Sequence, residues 1–431
     1  MLHKLKYLAH RNIHRERYSL LDGLLATQSL GKDAVRLKQA HDLAGMISFA
    51  AMNTPFYREK YHNHTLPAVG EAIGNLPILR KSEVVARKDD MLATTIDRRT
   101  LRIGNTGGST GKPLAFYYDP HKMELMRAGM YRSYMMSGWR PGQKILNFWG
   151  ARQDIKADGI AKRLTDFIAA DKTIGAYEYT ESDLAAWADY IRHYRPVLLQ
   201  GYASILAELA RYILDHGKPV PGSLLGVYST AEMLHDWQRD LMEIAFNCKV
   251  FNQYGSREIP NIACECLHGN QHVFTDMVYL ESVREDDEDK LIVTSLTNRI
   301  MPMIRYDIGD VGRLMDGDCP CGSPFPLVEM GVCRSNDLIK SASGKTVYPS
   351  YFIHLLDGLD GIKQYQFVQT ALNEMTLNLQ ASRMLTLAEQ EHIQSKIRDE
   401  VDADMHLDIR HVDTIKRTRS GKHRFVIRDI A

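Results

Sequence analysis

Long apolar runs are missing from this chain: none reaches the roughly 18 residues that a helix needs to cross a bilayer, so an integral membrane segment is not expected. The opening stretch MLHKLKYLAHRNIHRER is basic but lacks the apolar centre of a secretory leader. It reads as a solvated first helix, and the expected compartment is the cytoplasm. Charge of one sign is not in excess either. Lys and Arg number 54 against 53 Asp and Glu, a formal charge of +1, which leaves no broad basic field for nucleic acid. Cysteine is scarce, six in 431 residues, too few for a disulfide scaffold. Internal repeats and low-complexity tracts are absent.

What is present has the composition of an ordinary folded protein, and the length calls for two or three domains. Residues 1–100 read mostly as helix, interrupted at Pro55 to Tyr57, with Ser82 as the cap of a following helix. From there to about residue 260, strands alternate with helices, the pattern of a largely parallel sheet covered by helices. Thr180 and Asp183 form a capping-box spacing before LAAWADYIRHY, which stops at Pro196. Residues 261–333 change to strands separated by turns, with REDDEDK at a hairpin tip, and predict an antiparallel subdomain. The last hundred residues predict a small α+β unit. The expected division is a large domain over 1–333, a hinge at 334–340 and a small domain over 341–431.

The stretch TGGSTGKP, Thr106 to Pro113, resembles a phosphate loop but fails the Walker pattern at both ends. Thr106 stands at the first glycine position, and Pro113 follows Lys112 where a serine or threonine is required. The residues after it, LAFYYD, predict a strand rather than a helix. A P-loop kinase is therefore set aside. The composition still suits an anion, because Gly107, Gly108 and Gly111 let backbone N–H groups crowd together, Ser109 and Thr110 add donors and Lys112 adds a charge. A plain Gly/Ser surface turn is the alternative.

Further stretches make sense together if that loop holds ATP. In NQYGSRE, Tyr254 offers a ring at a strand end and Glu258 a carboxylate four residues later, suited to adenine and to magnesium. In MIRYDIGDVG, Asp307 and Asp310 flank Gly309. Arg334 opens the polar stretch RSNDLIKSASGKTVYP, and RSGKHR places Lys422 near the C-terminus. Four cysteines fall in two pairs, Cys264 with Cys266 and Cys319 with Cys321, with 52 residues between the pairs. That spacing is unlike common zinc fingers, so metal ligation and free buried thiols both stand as readings.

In this order and spacing, TGGSTGKPL, LQGYAS, STAEML, YGSRE, MPMIRYDIGD and RSGKHR resemble the acyl-adenylate-forming ligase superfamily. Within it they are similar to the phenylacetate-CoA ligase family, and to its shorter members found with capsular polysaccharide genes. The resemblance implies ATP, Mg2+ and a small carboxylic acid as substrates and cofactor, with CoA or an amine or hydroxyl as acceptor. A homodimer is a possible assembly. It implies that Thr106 to Lys112 contact phosphates, that Ser229, Thr230, Ala231, Glu232, Tyr254, Gly255 and Ser256 frame adenine, and that Glu258 binds magnesium. Asp310 and Arg334 would hold ribose, and Lys422 would reach the acid and the α-phosphate. Asn147, Trp149, Gly150, Tyr202 and Val227 are the expected walls of the acid pocket. Asn336 occupies the hinge position, where relatives usually carry Asp or Lys. Some members resemble zinc proteins near the cysteine pairs, which makes Cys266, Cys319 and Cys321 the preferred ligands, with His272 or Cys264 fourth. The rival reading is a zinc-stabilised binding protein or a nucleotide-binding module without ligase activity.

Overall fold

The structure is a computed structural model that describes all residues except 1, 107–113, 151–165, 177–178, 286–287, 335–338, 344, 348–350, 353–354, 357–358, 417–422 and 431; of 2–4, 332–334 and 346 only the backbone is described. The chain starts with five helices, α1 (Leu2–Ile13), α2 (Arg15–Gln28), α3 (Lys32–Asn53), α4 (Pro55–Lys60) and α5 (Lys81–Arg87). The break at Pro55 is a helix restart. Proline occupies the first position of α4, where no N–H is missed, and Thr54 Oγ1 accepts from Tyr57 N at 3.2 Å. Ser82 does not cap α5. The cap residue is Arg80, whose N–H is taken by Glu83 at 2.8 Å, so the carboxylate three residues on does the work expected of the serine.

β1 (Arg102–Asn105) and β2 (Ala115–Tyr118) form an antiparallel hairpin around the glycine-rich span, and Asp119 caps α6 (Pro120–Met135). Then β3 (Ile145–Trp149), β4 (Asp171–Gly175), α7 (Glu181–Tyr194), β5 (Leu198–Tyr202), α8 (Ala203–Asp215), β6 (Gly226–Thr230), α9 (Asp236–Phe246) and β7 (Val250–Tyr254) alternate as expected. The five strands are parallel in the order β4-β3-β5-β6-β7. β4, DKTIG, has no apolar alternation because it is an edge strand, half-buried along its whole length. Thr180 and Asp183 make the predicted capping box, with Thr180 N donating to Asp183 at 2.8 Å.

The antiparallel strands are β8 (Ala263–Glu265), β9 (Gln271–Val273), β10 (Val278–Glu285), β11 (Glu288–Ser295), β12 (Tyr306–Met315) and β13 (Leu327–Arg334). They continue the parallel sheet. β8 pairs with β7, and β13 lies between β12 and β9, so that all eleven strands form one mixed sheet. Two apolar clusters serve it. One, around Leu199, Ile205, Leu209, Val227 and Met242, fills the space under α7, α8 and α9; the other reaches from the N-terminal helices to β11.

The C-terminal residues build a separate sheet. β14 (Ile339–Lys340) pairs with β15 (Thr346–Val347), followed by β16 (Ile362–Ala371), β17 (Glu374–Ala381), α10 (Leu387–Glu400), β18 (His406–His411) and β19 (Val426–Arg428). The last four strands run in the order β18-β17-β16-β19. Phe367, Leu377, Leu379, Ile393 and Ile397 are fully buried between this sheet and α10. Each contributes about 1.5–3 kcal/mol by leaving water.

Candidate active site

The glycine-rich span is held at its base. Thr106 N donates to Leu114 O at 2.8 Å and Leu114 N to Thr106 Oγ1 at 2.9 Å, so the two ends of the span are tied together by backbone and side chain of one threonine. Gly107 to Lys112 lie outside the described residues. Asn105 O accepts from the Arg257 guanidinium at 3.0 Å, which sets the hairpin beside the segment that leaves β7.

That segment carries most of the remaining motif. Gly255 is required by close approach, since a Cβ there would stand 2.8 Å from Asn261 N. Ser256 is spent on the turn: its N–H donates to Ile259 O at 2.9 Å and its Oγ accepts from Ile259 N at 3.0 Å. Glu258 is buried, its carboxylate accepting from the Tyr306 hydroxyl at 3.4 Å. Lys122, on the buried face of α6, donates to the backbone carbonyl of Glu258 at 2.6 Å. Burial lowers the Lys122 ammonium to about 8, with Glu258 and Asp119 opposing the shift. Burial and the neighbouring Glu258 raise the Tyr306 phenol far above its ordinary range, so it remains a donor. A buried carboxylate whose nearby lysine is turned to its main chain fits a hard divalent cation. Tyr306 belongs to the MPMIRYDIGD stretch, whose aspartates stood out in sequence, whereas Lys122 lies in no motif and stands three residues after the cap Asp119.

Tyr254 donates to Asp310 Oδ2 at 2.9 Å, and the register of β12 with β13 pairs Asp310 with Arg334. The two residues expected at ribose are thus cross-strand neighbours in backbone, and the side chain of Arg334 is outside the description. Asp307 is committed elsewhere. One oxygen accepts from Arg80 at 2.6 Å and the other from Gly309 N at 3.0 Å. On the adjacent β6, Ser229 Oγ is buried without a hydrogen-bond partner among the described residues, Thr230 Oγ1 donates to Gln253 O at 3.3 Å, and Ala231 adopts φ 68°. β6 and β7 are parallel neighbours, so these residues gather at the carboxyl edge of the sheet, where ligands bind in open α/β folds.

The expected acid walls divide. Trp149 and Tyr202 meet edge to face at 5.2 Å, and Gly150 is buried beside Trp149. Asn147 donates to Asp171 at 2.5 Å on the neighbouring strand, and Val227 is fully buried among the side chains beneath α7, α8 and α9.

The C-terminal residues reach this edge. His423 N donates to Glu232 Oε1 at 2.6 Å, while Glu232 Oε2 accepts from Ser204 N at 2.9 Å. The Phe425 ring packs against His235 and Trp237, at 5.4 and 6.3 Å between centroids. Gln364 donates to Glu208 at 2.9 Å. Lys422 and Asn336 both lie outside the described residues.

Away from this edge, Cys266, His272, Cys319 and Cys321 bring their ligand atoms within 4.8 Å of one another. Cys266 Sγ and Cys319 Sγ are 3.6 Å apart, and Cys321 Sγ is 3.2 Å from His272 Nε2. A zinc tetrahedron with Zn–S bonds near 2.3 Å has S–S edges of about 3.8 Å, so the donor set fits. His272 Nδ1 faces the Phe325 carbonyl at 3.1 Å, which places its proton there and turns Nε2 toward the cysteines, the arrangement a metal ligand would need. Asn270 donates to Cys319 Sγ at 3.2 Å. Cys264 is not in the cluster. It is buried, its thiol is pushed well up by that burial, and its Sγ lies 3.6 Å from Glu265 O.

The family described as the CapK C-terminal domain matches residues 339–429. Protein CapK of Staphylococcus aureus is 26% identical over 94% of this chain and 93% of its own length. Phenylacetate-coenzyme A ligase of Thermus thermophilus is 23% identical over 82% of this chain and 83% of its own. Among solved structures, 2-hydroxyisobutyryl-CoA ligase in the postadenylation state, in complex with R3-HIB-AMP, shares the fold with a TM-score of 0.70 and 18% identity, covering 91% of this chain and 89% of that one.

Proposed function

From a chain homologous to protein CapK and to the phenylacetate-CoA ligases, and therefore an AMP-forming ligase, we propose the following reaction. A small carboxylic acid attacks the α-phosphate of ATP, pyrophosphate leaves, and the acyl group of the resulting acyl-adenylate passes to a second nucleophile. CoA is the acceptor by analogy with the phenylacetate-CoA ligases. Because the C-terminal residues match the CapK family, an amine or hydroxyl acceptor in polysaccharide or secondary-metabolite synthesis is the second reading.

The observation that carries the proposal is convergence at one sheet edge. The tied base of the glycine-rich span, Glu258, the Tyr254–Asp310 pair and the residue after Lys422 all meet there, although they are up to about 320 positions apart in sequence. Ser109, Thr110 and Lys112 would bind phosphates, Tyr254 and the backbone of 229–232 would border adenine, and Asp310 with Arg334 would hold ribose. Glu258 would hold Mg2+, which supplies charge neutralisation at the phosphates. Lys422 would approach the attacking carboxylate and the α-phosphate, where two anions are forced together and negative charge accumulates in the transition state. The small domain, 341–431, would turn about 334–340, with Asn336 at the pivot, between the two half-reactions. Trp149 and Tyr202 are the strongest candidates for the acid pocket. Cys266, His272, Cys319 and Cys321 would hold a structural zinc.

Acid-dependent ATP–pyrophosphate exchange, measured over a panel of carboxylic acids, tests this directly. At least one acid is expected to support exchange, and Lys422→Ala to lower it by about 10²-fold or more with ATP binding and melting temperature nearly unchanged. Equal exchange in parent and variant removes the assignment.

A further inference from the structure

Glu232 touches two parts of the molecule at once. It follows β6 and, half-buried, offers one oxygen to the first turn of α8 at Ser204 N and the other to His423 N on the C-terminal sheet's side. An ionised carboxylate bound by two backbone amides at 2.9 and 2.6 Å is the strong kind of hydrogen bonding, and α8 adds the positive end of its dipole. Only one of these bonds belongs to the large domain itself. The other exists only while the C-terminal sheet sits in this arrangement.

A second carboxylate repeats the pattern. Glu208, one turn further along α8, accepts from Tyr179 on its own side at 2.7 Å and from Gln364 of β16 at 2.9 Å. Phe425 closes the contact with an apolar patch against His235 and Trp237. Together the three contacts seat β16 and the 423–425 segment on the rim formed by α8 and the β6–α9 connection.

We propose that Glu232 is a latch: a positioning residue that binds the amide of His423 and so holds the immediately preceding Lys422 at the nucleotide edge during adenylate formation, then lets go. The inference rests on the ligase reading above for the role of Lys422, while the latch itself is a statement about domain arrangement. Its chemistry suits a reversible clasp. The carboxylate keeps its Ser204 partner when the C-terminal sheet departs, and water replaces the single amide it loses.

The test is amide hydrogen exchange on the full chain, with and without MgATP, in the parent, Glu232→Gln and Gln364→Ala. Glu232→Gln leaves one acceptor oxygen for two amide donors, so exchange in peptides spanning 423–428 is expected to rise about tenfold. Gln364→Ala removes a contact that touches neither Glu232 nor His423, and it is expected to raise exchange in the same peptides if the domain is released as a unit. Unchanged exchange over 423–428 in Glu232→Gln overturns the latch. So does a rise spread evenly over the α8 start and the whole chain, which is what a mere helix cap would give. In the exchange assay, Glu232→Gln should lower kcat for pyrophosphate exchange several-fold while KM for ATP moves little; a change confined to KM also overturns it. If no acid supports exchange in the parent, the ligase reading fails while the hydrogen-exchange result still decides the latch.

Discussion

His10 shows how a single buried base can make stability depend on pH. It is held where α1 and α2 meet α6, its Nδ1 2.9 Å from the Tyr18 hydroxyl and its ring 4.5 Å from that of His14. Burial lowers the imidazole to about 4, helped by His14, Arg17 and Arg127 and opposed by Glu124. The unfolded chain takes a proton near pH 6.5 and the folded one does not until about 4, so stability should fall as pH drops through that window and level off below it. Urea midpoints measured from pH 7 to 4 are expected to show this slope, and His10→Leu to flatten it in part, since the neighbouring His14 is also lowered. An unchanged slope in the variant would move the origin elsewhere. Residues such as this are invisible in sequence. Nothing in HRNIH distinguishes a histidine facing a tyrosine from one facing water.

At the scale of elements, a buried ion pair helps fasten α6 to the β9–β10 connection. Arg132 forks onto Asp276 at 2.5 and 3.0 Å, both side chains almost wholly buried, and its guanidinium lies 4.0 Å from the Phe274 ring. Arg132→Met should cost about 3–5 kcal/mol by leaving a buried carboxylate without its partner, while Arg132→Met with Asp276→Leu should regain most of it. Chemical denaturation of the two variants and the parent checks the pair. The helices and strands between residues 180 and 254 were legible because amphipathic period, caps and prolines agreed there. β4 was not, having no buried face to pattern, and the continuity of β7 with β8 could not be read because pairing between strands leaves no local mark.

Across the whole molecule, the Cys/His cluster joins segments that the sequence keeps far apart. Purified protein never exposed to chelator is expected to hold about one zinc per chain; Cys319→Ser should lose it together with stability, whereas Cys264→Ser should keep it. Metal content that is absent in the parent, or equally lost in Cys264→Ser, removes the site as drawn. Of the candidate site, short motifs singled out Tyr254, Glu258, Asp310 and the cysteine pairs, but not that Tyr254 bonds Asp310 nor that His272 rather than Cys264 joins the other three cysteines. The acid walls were less so. In a parallel strand covered on both sides, such as β6, apolar residues occupy both faces, and the sequence does not say that Val227 turns to the core under the helices.

The place of β13 between β12 and β9 sets an order on the making of this protein. On a ribosome, residues 145–254 emerge as local strand–helix units that can pack at once, and the β10–β12 ribbon follows by hairpins. Residues 274–277 tie the start of β10 to β9, whereas the ladder that closes β12 onto β9 waits for residues 327–334, because β13 pairs with both. Cys319 and Cys321 emerge just ahead of that strand. On the zinc reading proposed above, a metal caught by Cys266 and His272 would draw the arriving chain into register, and zinc starvation is expected to show first as nascent chains that expose an unpaired edge.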